Sequence, residues 1–95
     1  MDRYDMMNMR IATLAEGMRG RLPHWIIEDI LVYVREGEEQ LALEYLADIA
    51  DEKAVVLRPT ERHEFLALAR YWRLPDGRFD FLKELVGDSP RTDEA

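Results

Sequence analysis

Much of the usual equipment of an enzyme is missing from this 95-residue sequence. It has no cysteine, which excludes disulfides, thiol catalysis and cysteine-ligated zinc or iron–sulfur centres. There are two histidines. His24 and Glu28 stand four apart on a helix and could share a metal ion, but no third ligand is near in sequence, so no metal site is expected. His63 falls opposite the apolar face of its helix and is expected to be solvated. Ser89 is the one serine and lies near the polar C-terminal end, so no serine nucleophile can be assembled. The glycines are scattered and form no phosphate-cradling loop. The adjacent acids Glu28-Asp29, Glu38-Glu39 and Asp51-Glu52 point about a quarter turn apart on a helix and cannot converge as a catalytic carboxylate pair. No enzyme, cofactor or small-molecule substrate is expected.

Two further absences bear on location. The longest apolar run, Ile30 to Val34, is far too short to span a bilayer. The first residues, Met1-Asp2-Arg3-Tyr4-Asp5, carry acids where a secretory signal has a basic segment. A cytoplasmic protein is the expectation.

What the chain does have is charge of one sign. Acids outnumber bases 20 to 13, giving −7. Its bases are spread singly, mostly beside acids, so nucleic acid and anionic membranes are repelled, whereas basic proteins are attracted and steered. A helix-turn-helix reading fails for the same reason: the third helix is acidic and the fourth mixed.

Apolar periodicity is helical throughout. Met7, Ile11, Leu14 and Met18 form the stripe of a first helix frayed by Gly17 and Gly20. A second helix is expected from near Pro23 to Glu36, ended by Gly37. Its wide face of Ile26, Ile27, Ile30, Leu31, Tyr33 and Val34 marks it as the most buried helix. A third, Glu38 to about Asp51, buries Ala42, Tyr45, Leu46 and Ile49, and the short turn between the two predicts a helical hairpin. Ala54 to Leu57 is β-prone but has no evident partner, so it is expected to be an extended connection that tucks one or two side chains into the core. Thr60 is the expected N-cap of a fourth helix, with Glu61 and Glu64 in its first turn and a stripe of Phe65, Leu68, Ala69 and Trp72. After the turn Leu74-Pro75-Asp76-Gly77, a last short helix from about Phe79 to Val86 buries Phe79, Leu82, Leu85 and Val86. The fold class is therefore all-α: a compact bundle of four to five short helices around a central hairpin, one domain over 1–87 with a loose polar tail over 88–95.

The strongest non-random feature is a run of seven acids between Arg35 and Lys53 with no intervening base: Glu36, Glu38, Glu39, Glu44, Asp48, Asp51 and Glu52. Glu44, Asp48 and Asp51 share one stripe opposite Ala42, Leu46 and Ile49. That stripe reads either as an ordinary solvated face or as a docking face for a basic partner. Facing away from the core, it should tolerate reversal to lysine without harm to the fold. On the second helix, Trp25 and Val32 fall on the polar side beside Glu28, Asp29 and Glu36. Trp25 there is either an interface anchor or, as small helical domains favour, packed beneath the fourth or fifth helix. The candidate partner-binding residues are Trp25, Glu28, Asp29, Glu36, Glu44, Asp48 and Asp51.

From Leu22 onward the chain resembles the MafI-type family of bacterial immunity proteins. The resemblance runs through Leu22-Pro23-His24-Trp25-Ile26-Ile27-Glu28-Asp29, Val34-Arg35-Glu36-Gly37-Glu38 and Leu41-Ala42-Leu43-Glu44. It continues through Asp48, Thr60, Glu64, Leu68-Ala69, Leu74-Pro75 and Phe81-Leu82-Lys83-Glu84-Leu85-Val86. It implies a small helical bacterial protein that neutralises a cognate polymorphic or contact-delivered toxin, of the kind often built as a nuclease with a basic cleft. The alternative is a helical adaptor or regulatory domain with an unrelated protein partner.

Overall fold

The computed structural model describes residues 3–87; the polar tail expected over 88–95 lies outside the described residues. The elements are helices α1 (Arg3–Glu16), α2 (His24–Arg35), α3 (Glu39–Glu52) and α4 (Pro59–Tyr71), followed by a 3-10 helix, Asp80–Leu85. The all-α expectation holds. The last element is tighter than the α-helix that the sequence suggested.

The stripes of α1, α2 and α4 face one shared core as predicted. On α3 the buried face is turned from the predicted one: Leu43, Ala47 and Ala50 join Ala42 and Leu46, and Tyr45 and Ile49 are only half-buried. Ile11, Leu14 and Met18 enter the core from α1 and the turn after it, Ile26, Ile27 and Ile30 from α2, and Phe65 and Leu68 from α4. Phe79 and Leu82 close it from the 3-10 helix, with the Phe65 and Phe79 rings edge to face at 5.7 Å. The centre of the bundle is α3, however, not α2. It packs against α1, α2, α4 and the 3-10 helix, and it buries Ala42, Leu43, Leu46, Ala47 and Ala50. Three of those are alanines. They add little apolar weight to a sequence window, but their small size lets neighbouring helices come close on several sides.

Three helix ends share one device. After α2, Glu38 N–H reaches back to the Tyr33 carbonyl (2.8 Å) and Gly37 N–H to Val34 (3.2 Å). After α3, Val55 N–H bonds to Ala50 (2.9 Å); after α4, Leu74 N–H bonds to Ala69 (2.9 Å). These are Schellman-type closures, which need one residue in the left-handed region. Gly37 meets that need without strain (φ 82°), whereas Ala54 (52°) and Arg73 (56°) carry a Cβ there. The first closure sets the tight α2–α3 hairpin that the sequence predicts.

The segment after α3 behaves as expected in burying Val55 and Leu57. It also has a partner that periodicity did not show. Leu57 bridges Val86, its N–H donating to the Leu85 carbonyl (2.9 Å) and its carbonyl accepting from Gly87 N–H (3.0 Å). A Cβ at Gly87 would lie 2.8 Å from Val56 Cγ1, so a larger residue there would require the exposed Val56 side chain to move.

The N-terminus of α4 departs from expectation. Its N-cap is Arg58, with Pro59 in the first turn, and Thr60 already lies inside the helix. Proline has no N–H to leave unsatisfied, so it takes the first helical position. Glu61 then reaches back to accept the Arg58 N–H (2.8 Å), the returning half of a capping box. Its oxygens also accept two hydrogen bonds from Arg21, both 2.7 Å, while Arg21 donates to the Val56 (2.9 Å) and Gly17 (2.6 Å) carbonyls. One buried carboxylate and one guanidinium thus tie the α1–α2 connection, the extended segment and α4 together.

Burial alone would raise the Glu61 carboxyl's pKa. Arg21, the Arg58 N–H and the surrounding positive charge outweigh it and hold it below the ordinary carboxylate value. Glu64 is also held low, chiefly by its hydrogen bonds from Arg10. A carboxyl depressed in the folded state stabilises the fold above its unfolded pKa, about 4.3, and loses that contribution as pH falls through the folded value. The melting temperature should therefore stay level from neutral pH to about 5 and fall below about 4. Glu61→Gln should cost about 1–3 kcal/mol at pH 7, and its deficit against the parent should shrink in acid; a deficit independent of pH would contradict the role given to the charge.

Core and surface should separate cleanly in a thermal melt. Ile30, fully buried, should cost about 2–5 kcal/mol when cut to alanine. Exposed His63→Ala should stay within about 0.5 kcal/mol of the parent. Equal melting temperatures for the two would refute this packing.

Candidate functional site

The seven candidate residues all lie on the α2–α3 hairpin, but arginines from outside the hairpin divide them. Glu28 accepts a hydrogen bond from Arg19 (2.7 Å), which also pairs with Glu16 at the end of α1. The same Arg19 donates toward His24 Nδ1 (3.0 Å), and His24 Nε2 stands 3.9 Å from Glu28. Glu28 therefore belongs to a local cluster on one flank of α2. No group of three or more potential metal ligands occurs among the described residues.

On the opposite flank, Arg78 bridges Glu44 (3.3 Å) and Asp48 (3.3 Å). Its guanidinium also sits 5.1 Å from the centre of the Phe79 ring. Burial works against its charge, but Asp48 and Glu44 prevail and raise its pKa further. The acidic stripe of α3 is thus not the uncompensated face that the sequence suggested. The chain has no base between Arg35 and Lys53, yet the fold delivers one from beyond Gly77. Reversal to lysine would set three cations together at Glu44, Asp48 and Arg78, so it would not spare the fold. Asp51, the third member of the stripe, is exposed and free of Arg78.

Trp25 is the second correction. It does not pack beneath α4 or the last helix; it is 60% exposed. The hairpin turns this edge of α2 outward, and helical phase prevails over the general tendency to bury tryptophan. Trp25, Asp29, Val32 and Glu36 follow at i, i+4, i+7 and i+11, and all four are exposed. They form one continuous edge along α2.

The seam with α3 borders that edge. Tyr33 and Tyr45 meet edge to face at 5.8 Å. Burial, reinforced by the charges of Asp29 and Glu52 and by Tyr33, pushes the Tyr45 hydroxyl's pKa up. Among the described residues, Asp29, Glu36, Glu38, Asp51 and Glu52 have no side-chain hydrogen bond or ion pair. Tyr45, Glu52 and Arg78 were missed as contributors to this region. The i, i+7 spacing of Tyr45 and Glu52 was a usable signal; Arg78 had none, being distant in sequence.

A second exposed apolar surface lies elsewhere, between α1 and α4. A groove of about 380 Å³ between α1 and α4 is lined by exposed Met6 and Met9 with Thr13, Arg10 and Glu64. Its two charged residues neutralise each other through a pair of short hydrogen bonds (2.7 and 2.8 Å). No helix among the described residues is long and apolar enough to cross a membrane.

Because Arg78 bridges its two carboxylates at half-exposed positions, Glu44→Lys with Asp48→Lys should destabilise the fold by on the order of 1 kcal/mol. Asp51→Lys should leave the melting temperature unchanged. A double variant as stable as the parent would show that the Arg78 bridge contributes nothing. No protein-family model matches the chain, and neither a curated protein nor a solved structure matches it significantly.

Proposed function

We propose that this chain is a binding protein without catalytic activity, an immunity protein that neutralises a basic bacterial toxin by occluding it. The observation that carries the reading is the distribution of charge. Arg10, Arg19, Arg21 and Arg78 each pair with carboxylates where elements meet, whereas five carboxylates on the α2–α3 hairpin have no ion pair among the described residues. Unpaired carboxylates around an exposed indole suit a partner of opposite sign: charge speeds the encounter, and apolar anchors slow release. The likeness to the MafI-type family from Leu22 to Val86 supports the same reading and includes the whole hairpin. Cytoplasmic action against a cognate toxin with a basic catalytic domain follows from it.

Survival in co-expression is the test. Cells expressing the toxin domain encoded beside this gene should grow when the chain is present and die when it is absent. Binding measured by calorimetry should weaken with added salt, since exposed charges are screened over about 8–10 Å at ordinary ionic strength. A neighbouring gene product that is not toxic, or a toxin that the chain does not relieve, would favour a helical adaptor instead.

A further inference from the structure

We propose that the outer edge of α2 is the docking surface, that Trp25 is its anchor, and that its occupant is a protein segment carrying arginine or lysine beside apolar side chains. This rests on the reading of the chain as a binder of basic proteins, but not on that protein being a toxin.

Three observations select this edge. The first is apolar exposure: Trp25 (60%) and Val32 (39%) project from it, seven residues apart, which is about 10 Å along a helix. The second is charge. Asp29 and Glu36 alternate with the two apolar residues on the same stripe, and neither has a side-chain hydrogen bond or ion pair among the described residues. A cationic side chain arriving here displaces no internal ion pair. On the Glu44–Asp48 flank it would have to compete with Arg78, and beside Glu28 with Arg19. The third is rigidity. The edge lies on a helix held by three fully buried isoleucines and by the closure at Gly37, so little side-chain or backbone order is lost on binding.

The chemistry of the occupant follows from the pattern. The exposed indole accepts a guanidinium over its face or enters a shallow apolar pocket. Carboxylates on either side of Val32 take cations spaced about one to two helical turns apart. Nucleic acid and anionic lipid are repelled by the same carboxylates. The other exposed apolar pair, Met6 and Met9, borders a groove whose charges are already spent on each other, so it has no comparable claim on a charged partner.

Two synthetic amphipathic helices serve as probes, one built of leucine and arginine and the other with glutamate in place of arginine. Each is titrated into the full, isotope-labelled chain and followed by NMR. The arginine peptide should shift the Trp25 indole, the Val32 methyls and the amides of Asp29 and Glu36, and the glutamate peptide should not bind. Trp25→Ala, exposed and remote from the core, should keep the melting temperature and weaken the arginine peptide by about tenfold or more. Asp51→Asn should change affinity little. Shifts centred on Glu44, Asp48 and Asp51, equal binding of both peptides, or no binding of either would overturn the proposal. Failure of the co-expression test alone would leave the surface intact and remove only the toxin.

Discussion

Glu61 is nearly buried, yet it is charged, and the way it is satisfied organises much of the molecule. It takes the Arg58 N–H at the start of α4 and both arms of Arg21, whose remaining donors hold the Gly17 and Val56 carbonyls. A buried carboxylate without such partners would cost several kcal/mol. Here the network joins the α1–α2 connection, the extended segment and the start of α4, so the ion pair forms only when those stretches are correctly placed. It is a geometric condition on the fold more than a source of net stability. Once it is met, α4 starts at Pro59, the extended segment runs beside the end of the 3-10 helix, and Leu57 meets Val86.

The same principle, repeated at the surface, determines where the protein is acidic. Arg10 is committed to Glu64, Arg19 to Glu16 and Glu28, and Arg78 to Glu44 and Asp48. A net charge of −7 is therefore not spread evenly. Part of it is cancelled where helices and loops meet, and among the described residues carboxylates without an ion pair stand along the hairpin and at Asp76, Asp80 and Glu84. Two of the unpaired carboxylates, Asp29 and Glu36, share a stripe with the exposed tryptophan, and that coincidence turns a property of composition into a candidate surface.

The sequence was most informative where one helix face meets one core. The stripes of α1, α2 and α4 and the Gly37 turn could all be read from spacing, because apolar periodicity is a direct record of burial. It was less informative about rank. Alanines carry little hydrophobic weight, so Ala42, Ala47 and Ala50 concealed the central place of α3. Thr60 had the chemistry of a cap but stood one residue beyond a proline that claimed the first turn. Arg78 pairs with residues thirty and more positions away, and nothing local announces such a contact. The site was half legible: helical phase placed Trp25 on the polar side of α2, and the general tendency to bury tryptophan argued against its own phase.

On the proposed placement, a basic partner covers the outer edge of α2. Hydroxyl-radical footprinting of the chain alone and in complex with the proposed basic partner tests that placement directly, because the molecule contains its own controls. Trp25, Met6 and Met9 are all reactive side chains, and their exposures are similar at 60%, 51% and 53%. In the complex, oxidation of Trp25 should be suppressed while Met6 and Met9 react as in the free protein. Protection of the two methionines with Trp25 still reactive would place the partner against α1 and α4 and rule out the α2 edge.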